Sequence, residues 1–232
     1  MQVLSGIHDW PLFIGAGLLL NLTPGVDMAL VLRCSAGQGF RAGAAAALGV
    51  GAGCGVHIAL AALGLSALLA GSPLAFGLLR WTGAAYLVWL GWDLMRPRRH
   101  SSPAYRNAAE PASPPALAAL AAPWLRLFGQ GFMTNALNPK VAMFFLAFVP
   151  QFIATDARHK SGAFLLLGAV FVVNATAVNL ALAWAAAALR QRLGTDRARP
   201  LAVQALGRWL NRGVGALLVG LGLRLALGDP LR

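Results

Sequence analysis

Asp27 is one of only seven acidic residues in the 232-residue chain, and it lies inside a long apolar stretch just after a Pro24-Gly25 break. A charge at the centre of a membrane helix costs about 2.5 to 3.5 kcal/mol on insertion scales, so a carboxylate kept there points to function. It could hold a substrate amine, or take up and release a proton. A local role competes with these: after a break, Asp27 could accept hydrogen bonds from the exposed amides of the next helical turn. Lys140 has the matching setting, directly after Asn138-Pro139 in another apolar stretch. It could receive a substrate carboxylate or pair with Asp27 across the bundle. If the two breaks face each other near the midplane, half-helix ends there suit charged ligands. Thr23, Asn135 and Asn138 would then be neighbouring hydrogen-bond groups.

The remaining polar groups are read more plainly. Asn21, Asn174 and Asn179 are amides in apolar surroundings, where hydrogen bonds between spans are common without any transport role. His57 follows Cys54 by three residues and shares a helix face with it. A metal site would need further ligands, and His8, His100 and His159 fall outside the apolar stretches, so no metal and no cofactor is expected. Cys34 and Cys54 form neither a CxxC pair nor a disulfide framework. Gly49, Gly51, Gly53 and Gly55 permit close helix approach. Trp81, Trp89 and Trp92 are interface anchors or core, and Tyr86 and Trp89 could line a cavity.

The elements that must position these residues follow from composition. The chain is 58% hydrophobic and 11% charged, against about 25% charged in a soluble domain. A soluble core of this size would need a larger polar covering. Apolar stretches cover 10–32, 42–70, 74–95, 125–150, 163–189 and 210–227. Spans of about 20 residues each would take roughly 120 residues for six. The stretches are long and unalternating, unlike barrel strands. The expected fold is all-α: a polytopic membrane protein of about six transmembrane helices in a single transmembrane domain.

Residues 96–123 are rich in proline and read as a cytoplasmic linker between a first three-helix half, 1–95, and a second, 124–232. An odd number of spans per half makes a second copy insert upside down, so an inverted repeat is expected. Leu22-Thr23-Pro24 echoes Leu137-Asn138-Pro139, and Arg80-Trp81 echoes Arg208-Trp209. Arginines concentrate in the first, third and fifth connections, which puts those connections in the cytoplasm and both termini outside. The net charge of +12 is spread in this pattern, with no basic helix carrying interleaved aromatics, so no nucleic-acid partner is expected. The first ten residues contain no Lys or Arg and no signal-peptide pattern, so the first helix is expected to stay.

The segments NLTPGVD (21–27), GQGFRAGAAAALGVGAGCGVH (37–57), GAAYLVWLGWDLMR (83–96) and NPKVAMFFLAFVPQF (138–152) stand in an order that resembles the lysine exporter and homoserine/threonine exporter (LysE/RhtB) family. The likeness runs over about 9–152, and the last span fits more loosely. It implies a bacterial inner-membrane exporter of amino acids or related metabolites, proton-coupled and not an enzyme, with the bilayer, protons and a small amino acid as its partners. The family's emphasis on the TPG-x-D and NPK segments carries over to Thr23, Pro24, Gly25, Asp27, Asn138, Pro139 and Lys140. One departure is Val26, where many relatives carry a second proline. The resemblance leaves the cargo unnamed. An intramembrane enzyme would need converging nucleophiles, acids or metal ligands beyond Asp27 and His57, and a non-transporting membrane subunit would rest on the glycine-rich faces alone. No sequence feature decides whether the chain forms a homodimer.

Overall fold

The computed structural model describes residues 6–65, 73–96, 123–154, 157, 159–193, 212–213, 215–220, 222–223 and 226–227. Among these the backbone is helical apart from turns and one isolated antiparallel bridge, Ile7 to Ile153. The helices are α1 (Trp10–Leu22), α2 (Val26–Gln38), α3 (Phe40–Leu60), α4 (Pro73–Met95), α5 (Pro123–Ala136), α6 (Pro139–Met143) and α7 (Lys160–Leu193). Further helical residues follow within 212–227. The first five apolar stretches are therefore helical where described except at the breaks, 23–25 and 137–138, and the sixth is helical over the part described. The linker expected over 96–123 lies outside the described residues except at its two ends, as does the Arg208-Trp209 pair.

Among the described residues, two helices are apolar and long enough to cross a bilayer unaided, over Phe40–Gly64 and Lys160–Arg192. Two bent pairs qualify as broken spans: α1 with α2, bent by 56°, and α5 with Pro139–Phe152, bent by 48°. Each bend falls at a proline named from the sequence. A proline has no amide hydrogen and its ring crowds the preceding turn, so the helix cannot run straight through. Helix α4 covers 23 residues, about 35 Å at 1.5 Å per residue, which is also long enough to cross the roughly 30 Å hydrocarbon layer.

Helix α3 is the central post, packed against α2, α5 and α7. Its contact with α5 is backbone against backbone. A methyl group at Gly49 or Gly53 would fall on the carbonyl oxygen of Phe128 or Phe132, and one at Gly131 would fall on that of Ala46. In lipid, where helices gain little from hydrophobic burial against each other, small residues give association through close packing. Gly51 instead meets Thr176 of α7, and Gly55 faces open space. Beyond the second bend the chain widens into a π-helical turn, Phe144–Phe148, and a tight turn, Val149–Phe152. Buried phenylalanines brace it, with ring centres 4.7 Å apart for Phe144 and Phe171 and 4.8 Å for Phe148 and Phe152.

Candidate functional site

The first break ends α1 at Leu22. Pro24 cannot donate to the Leu20 carbonyl four residues back, and that oxygen is satisfied in two other ways. The Thr23 amide reaches it at 3.2 Å, and Lys140 Nζ, from the other bent pair, donates to it at 3.3 Å. Thr23 is buried, and its hydroxyl donates back to the Leu19 carbonyl at 2.8 Å. Gly25 has an extended backbone that any residue could adopt, so its value is space: a Cβ there would stand 3.3 Å from Lys140 Nζ. Val26 takes the first helical position of α2, where a proline would be equally at home.

The second break repeats this logic. Pro139 leaves the Asn135 carbonyl without its helical partner, and that oxygen accepts from the Asn138 amide at 2.8 Å and from His57 Nε2 at 2.9 Å. Asn138 caps the new helix, its Oδ1 accepting from the Lys140 amide at 3.0 Å. A side-chain cap of this kind is worth about 1 kcal/mol. Capping is the local role that the sequence offered to Asp27. In the structure the N-cap of α2 is Gly25, which makes no side-chain bond, and Asp27 lies one residue into the helix.

Asp27 therefore turns to the other break. Its Oδ2 accepts from Asn135 Nδ2 at 3.1 Å and from Asn138 Nδ2 at 2.9 Å. Lys140 and His57 lie within electrostatic reach of the carboxylate. Between the bends is a cavity lined by Asn21, Thr23, Gly25, Asp27, Asn135 and Lys140, with Asn179 and apolar side chains such as Met28, Val50 and Phe171 completing the wall. Its volume is about 20 Å³, above the roughly 10 to 15 Å³ that one water needs and far short of an amino acid.

Among the described residues, three buried polar atoms on the cavity lining make no hydrogen bond: Asn21 Nδ2, Asp27 Oδ1 and Asn135 Oδ1. A buried polar group without a partner costs about 1 to 3 kcal/mol, so each one in a native site calls for an explanation.

The structure brings Thr23, Gly25, Asp27, Asn135 and Lys140 to the cavity wall, and Asn138 reaches it through Asp27. Pro24 and Pro139 contribute the bends. Sequence reading assigned Asn21 and Asn179 to packing, yet both face the cavity, whereas Asn174 does not line it. The Tyr86 hydroxyl is 3.5 Å from the Pro139 carbonyl, a marginal contact. Trp89 lies instead along an apolar outer cleft with Trp81 and Trp92, all three mostly exposed. Among the described residues no group of three His, Cys, Asp or Glu could hold a metal.

Comparison with known proteins agrees with this arrangement in length and class. The chain is 32% identical over 217 residues to a homoserine/homoserine lactone efflux protein of Salmonella typhi, covering 94% of this chain and 95% of that one. It is 30% identical over 224 residues to a leucine efflux protein of Enterobacter sp. (strain 638), covering 95% of each chain. An uncharacterized membrane protein of Vibrio cholerae is 31% identical over 220 residues, covering 95% of this chain and 97% of that one. No solved structure matches. The model of the LysE type translocators matches residues 18–229, a range that includes both bends and every residue of the cavity wall. The chain belongs to the LysE-type translocator family and is a multi-pass membrane transporter rather than an enzyme.

Proposed function

We propose that the protein exports neutral α-amino acids across the bacterial inner membrane, driven by proton entry, with access to the cavity alternating between the two sides. The observation that carries this is the set of unbonded atoms on one cavity wall. Asp27 Oδ1 and Asn135 Oδ1 are acceptors suited to a substrate ammonium. Asn21 Nδ2 is a donor suited to its carboxylate, with the Lys140 ammonium on the same wall. Asn138 has both ends of its amide committed, to Asp27 and to the Lys140 amide, so the carboxylate is assigned to Asn21 and Lys140. Among the described residues of the wall only Asp27 and Lys140 carry charge. Once these meet the head groups, no opposite charge is left for a basic or acidic side chain. The relatives named for homoserine and leucine efflux fit a neutral cargo.

Proton coupling follows from competition. A proton on Asp27 and a substrate ammonium beside it neutralise the same carboxylate, so each favours release of the other. Exclusive occupancy of this kind links two opposed fluxes. The cavity is too small for an amino acid, so loading requires the bent spans to part, and a half-helix bundle rocking about a central site is the expected motion. On the arginine distribution, the loading side is the one with the first, third and fifth connections.

The test is flux in proteoliposomes under an imposed pH gradient, using labelled leucine, homoserine and lysine. Gradient-driven movement of leucine or homoserine, absent for lysine and absent in Asp27→Asn, is the expected result. Full coupling in Asp27→Asn would overturn the role of the carboxylate, and lysine export would overturn the neutral cargo. No flux of any of the three from correctly inserted protein would overturn the amino-acid cargo and move the search to other metabolites.

A further inference from the structure

We infer that His57 is a positioning residue of the transport site, standing in for the amide hydrogen that Pro139 lacks and thereby aiming Asn135 at Asp27. The geometry has three parts. In an unbroken helix the amide of residue 139 would donate to the Asn135 carbonyl, and here His57 Nε2 does so at 2.9 Å. A carbonyl oxygen only accepts, so Nε2 must carry the hydrogen. The ring comes from α3, 78 positions earlier in the chain, and is buried.

Helix α3 presents Gly53 and His57, one turn apart, to the last turn of α5. Gly53 gives the closeness: a Cβ on it would lie 3.1 Å from both the Asn135 Cβ and the Ala136 amide nitrogen. His57 gives the direction. Between them they fix the backbone of the residue whose side chain donates to Asp27 Oδ2. The other end of that side chain, Oδ1, makes no bond, so the orientation of Asn135 depends on its backbone and on the one hydrogen bond to Asp27. Releasing the backbone would loosen the carboxylate. An ordinary core histidine would satisfy itself on any nearby carbonyl; this one bonds the carbonyl that loses its helical partner at the second proline, sharing it with the Asn138 amide at 2.8 Å.

The inference rests on the export reading only for its transport readout, and two measurements keep the two apart. The first is leucine flux in proteoliposomes by His57→Ala and His57→Gln, the glutamine keeping a side-chain donor at similar reach. Losing one hydrogen bond of this kind is expected to raise the KM of His57→Ala about three- to tenfold, with His57→Gln within about twofold of wild type. A residue that only filled space would lower the amount of active protein and leave KM alone. An unchanged KM in His57→Ala, or a glutamine variant no better than alanine, would overturn the inference.

The second measurement needs no transport. Melting temperatures in detergent are compared for wild type, His57→Ala, Pro139→Ala and the double variant. Pro139→Ala returns an amide hydrogen at residue 139, so the loss caused by His57→Ala is expected to shrink in that background. Additive losses would overturn the stand-in role. If wild type moves no leucine, homoserine or lysine, the export reading fails and the melting cycle still decides His57.

Discussion

The two proline breaks solve the same backbone problem and then diverge. At both, the carbonyl four residues before the proline is shared between a nearby amide and a side chain from elsewhere in the bundle: Lys140 for Leu20, His57 for Asn135. The difference lies in the helix that follows. The second break starts α6 with its own cap, Asn138. The first starts α2 on Gly25, which has no side chain to offer. Asp27, placed in the first turn of α2 where the helix dipole favours a negative charge, is bonded by two amides of the second break instead. Each break thus supplies what the other lacks. The charge at the first is held by the second, and the ammonium at the second caps the first. A ligand that competes for either charge would loosen both, which is the property a gated site needs.

Variants can break this reciprocity one side at a time. The largest effect is expected from Asp27→Asn, which keeps the shape and removes the charge. Gradient-driven leucine flux in proteoliposomes should fall about a hundredfold or more, in line with the cost of removing one partner from a buried charged network. Lys140→Met should come next. It takes the donor from the Leu20 carbonyl and the cation from the cavity, and a rise in the leucine KM of about tenfold is expected, read in the same assay. If Lys140→Met left KM unchanged while Asp27→Asn abolished flux, the breaks would not be reciprocal, and the cation would serve only the backbone.

The α3–α5 contact that brings the second break to the first can be tested without transport. Gly131→Ala puts a methyl on the Ala46 carbonyl, backbone against backbone, with no flexible side chain to move aside. A loss of about 1 to 3 kcal/mol is expected, seen as a lower melting temperature in detergent. Gly55→Ala, on the facing helix α3 but pointing into open space, should melt close to wild type.

Much of this was legible in the sequence, for reasons that differ by residue. Prolines and glycines act through their own backbone, so Pro24, Pro139 and the close-packing role of Gly49 and Gly53 could be read locally. Asp27 and Lys140 stood out because charge is costly in lipid. What could not be read was who satisfies whom. The cap that competed with function as a reading of Asp27 is not made there, and a side-chain cap stands at the other break on Asn138, because a cap depends on where a side chain points after the turn. Asn21 looked like any packing amide, since its unbonded nitrogen is a property of the assembled wall. For His57 a local signal did exist: every helix-interior proline leaves an acceptor four residues back, and a buried histidine is a donor in need of one. Pairing the two still required the bundle.

The smallest effects sharpen the contrast between the breaks most finely. Asn138→Ala removes both the cap on the Lys140 amide and one of the two amides on Asp27. Thr23→Val, at the matching position of the first break and nearly the same in shape, removes only a hydroxyl bond to the Leu19 carbonyl. That carbonyl keeps the Thr23 amide at 3.0 Å, so no acceptor is stranded. Asn138→Ala should therefore reduce leucine flux about five- to tenfold, from a lost cap and a lost bond to a charge, while Thr23→Val stays within about threefold, the lower end of one neutral hydrogen bond. Equal losses at the two positions would mean that the threonine hydroxyl, buried and on the cavity wall, bonds the substrate directly, and the first break would then be a binding element in its own right.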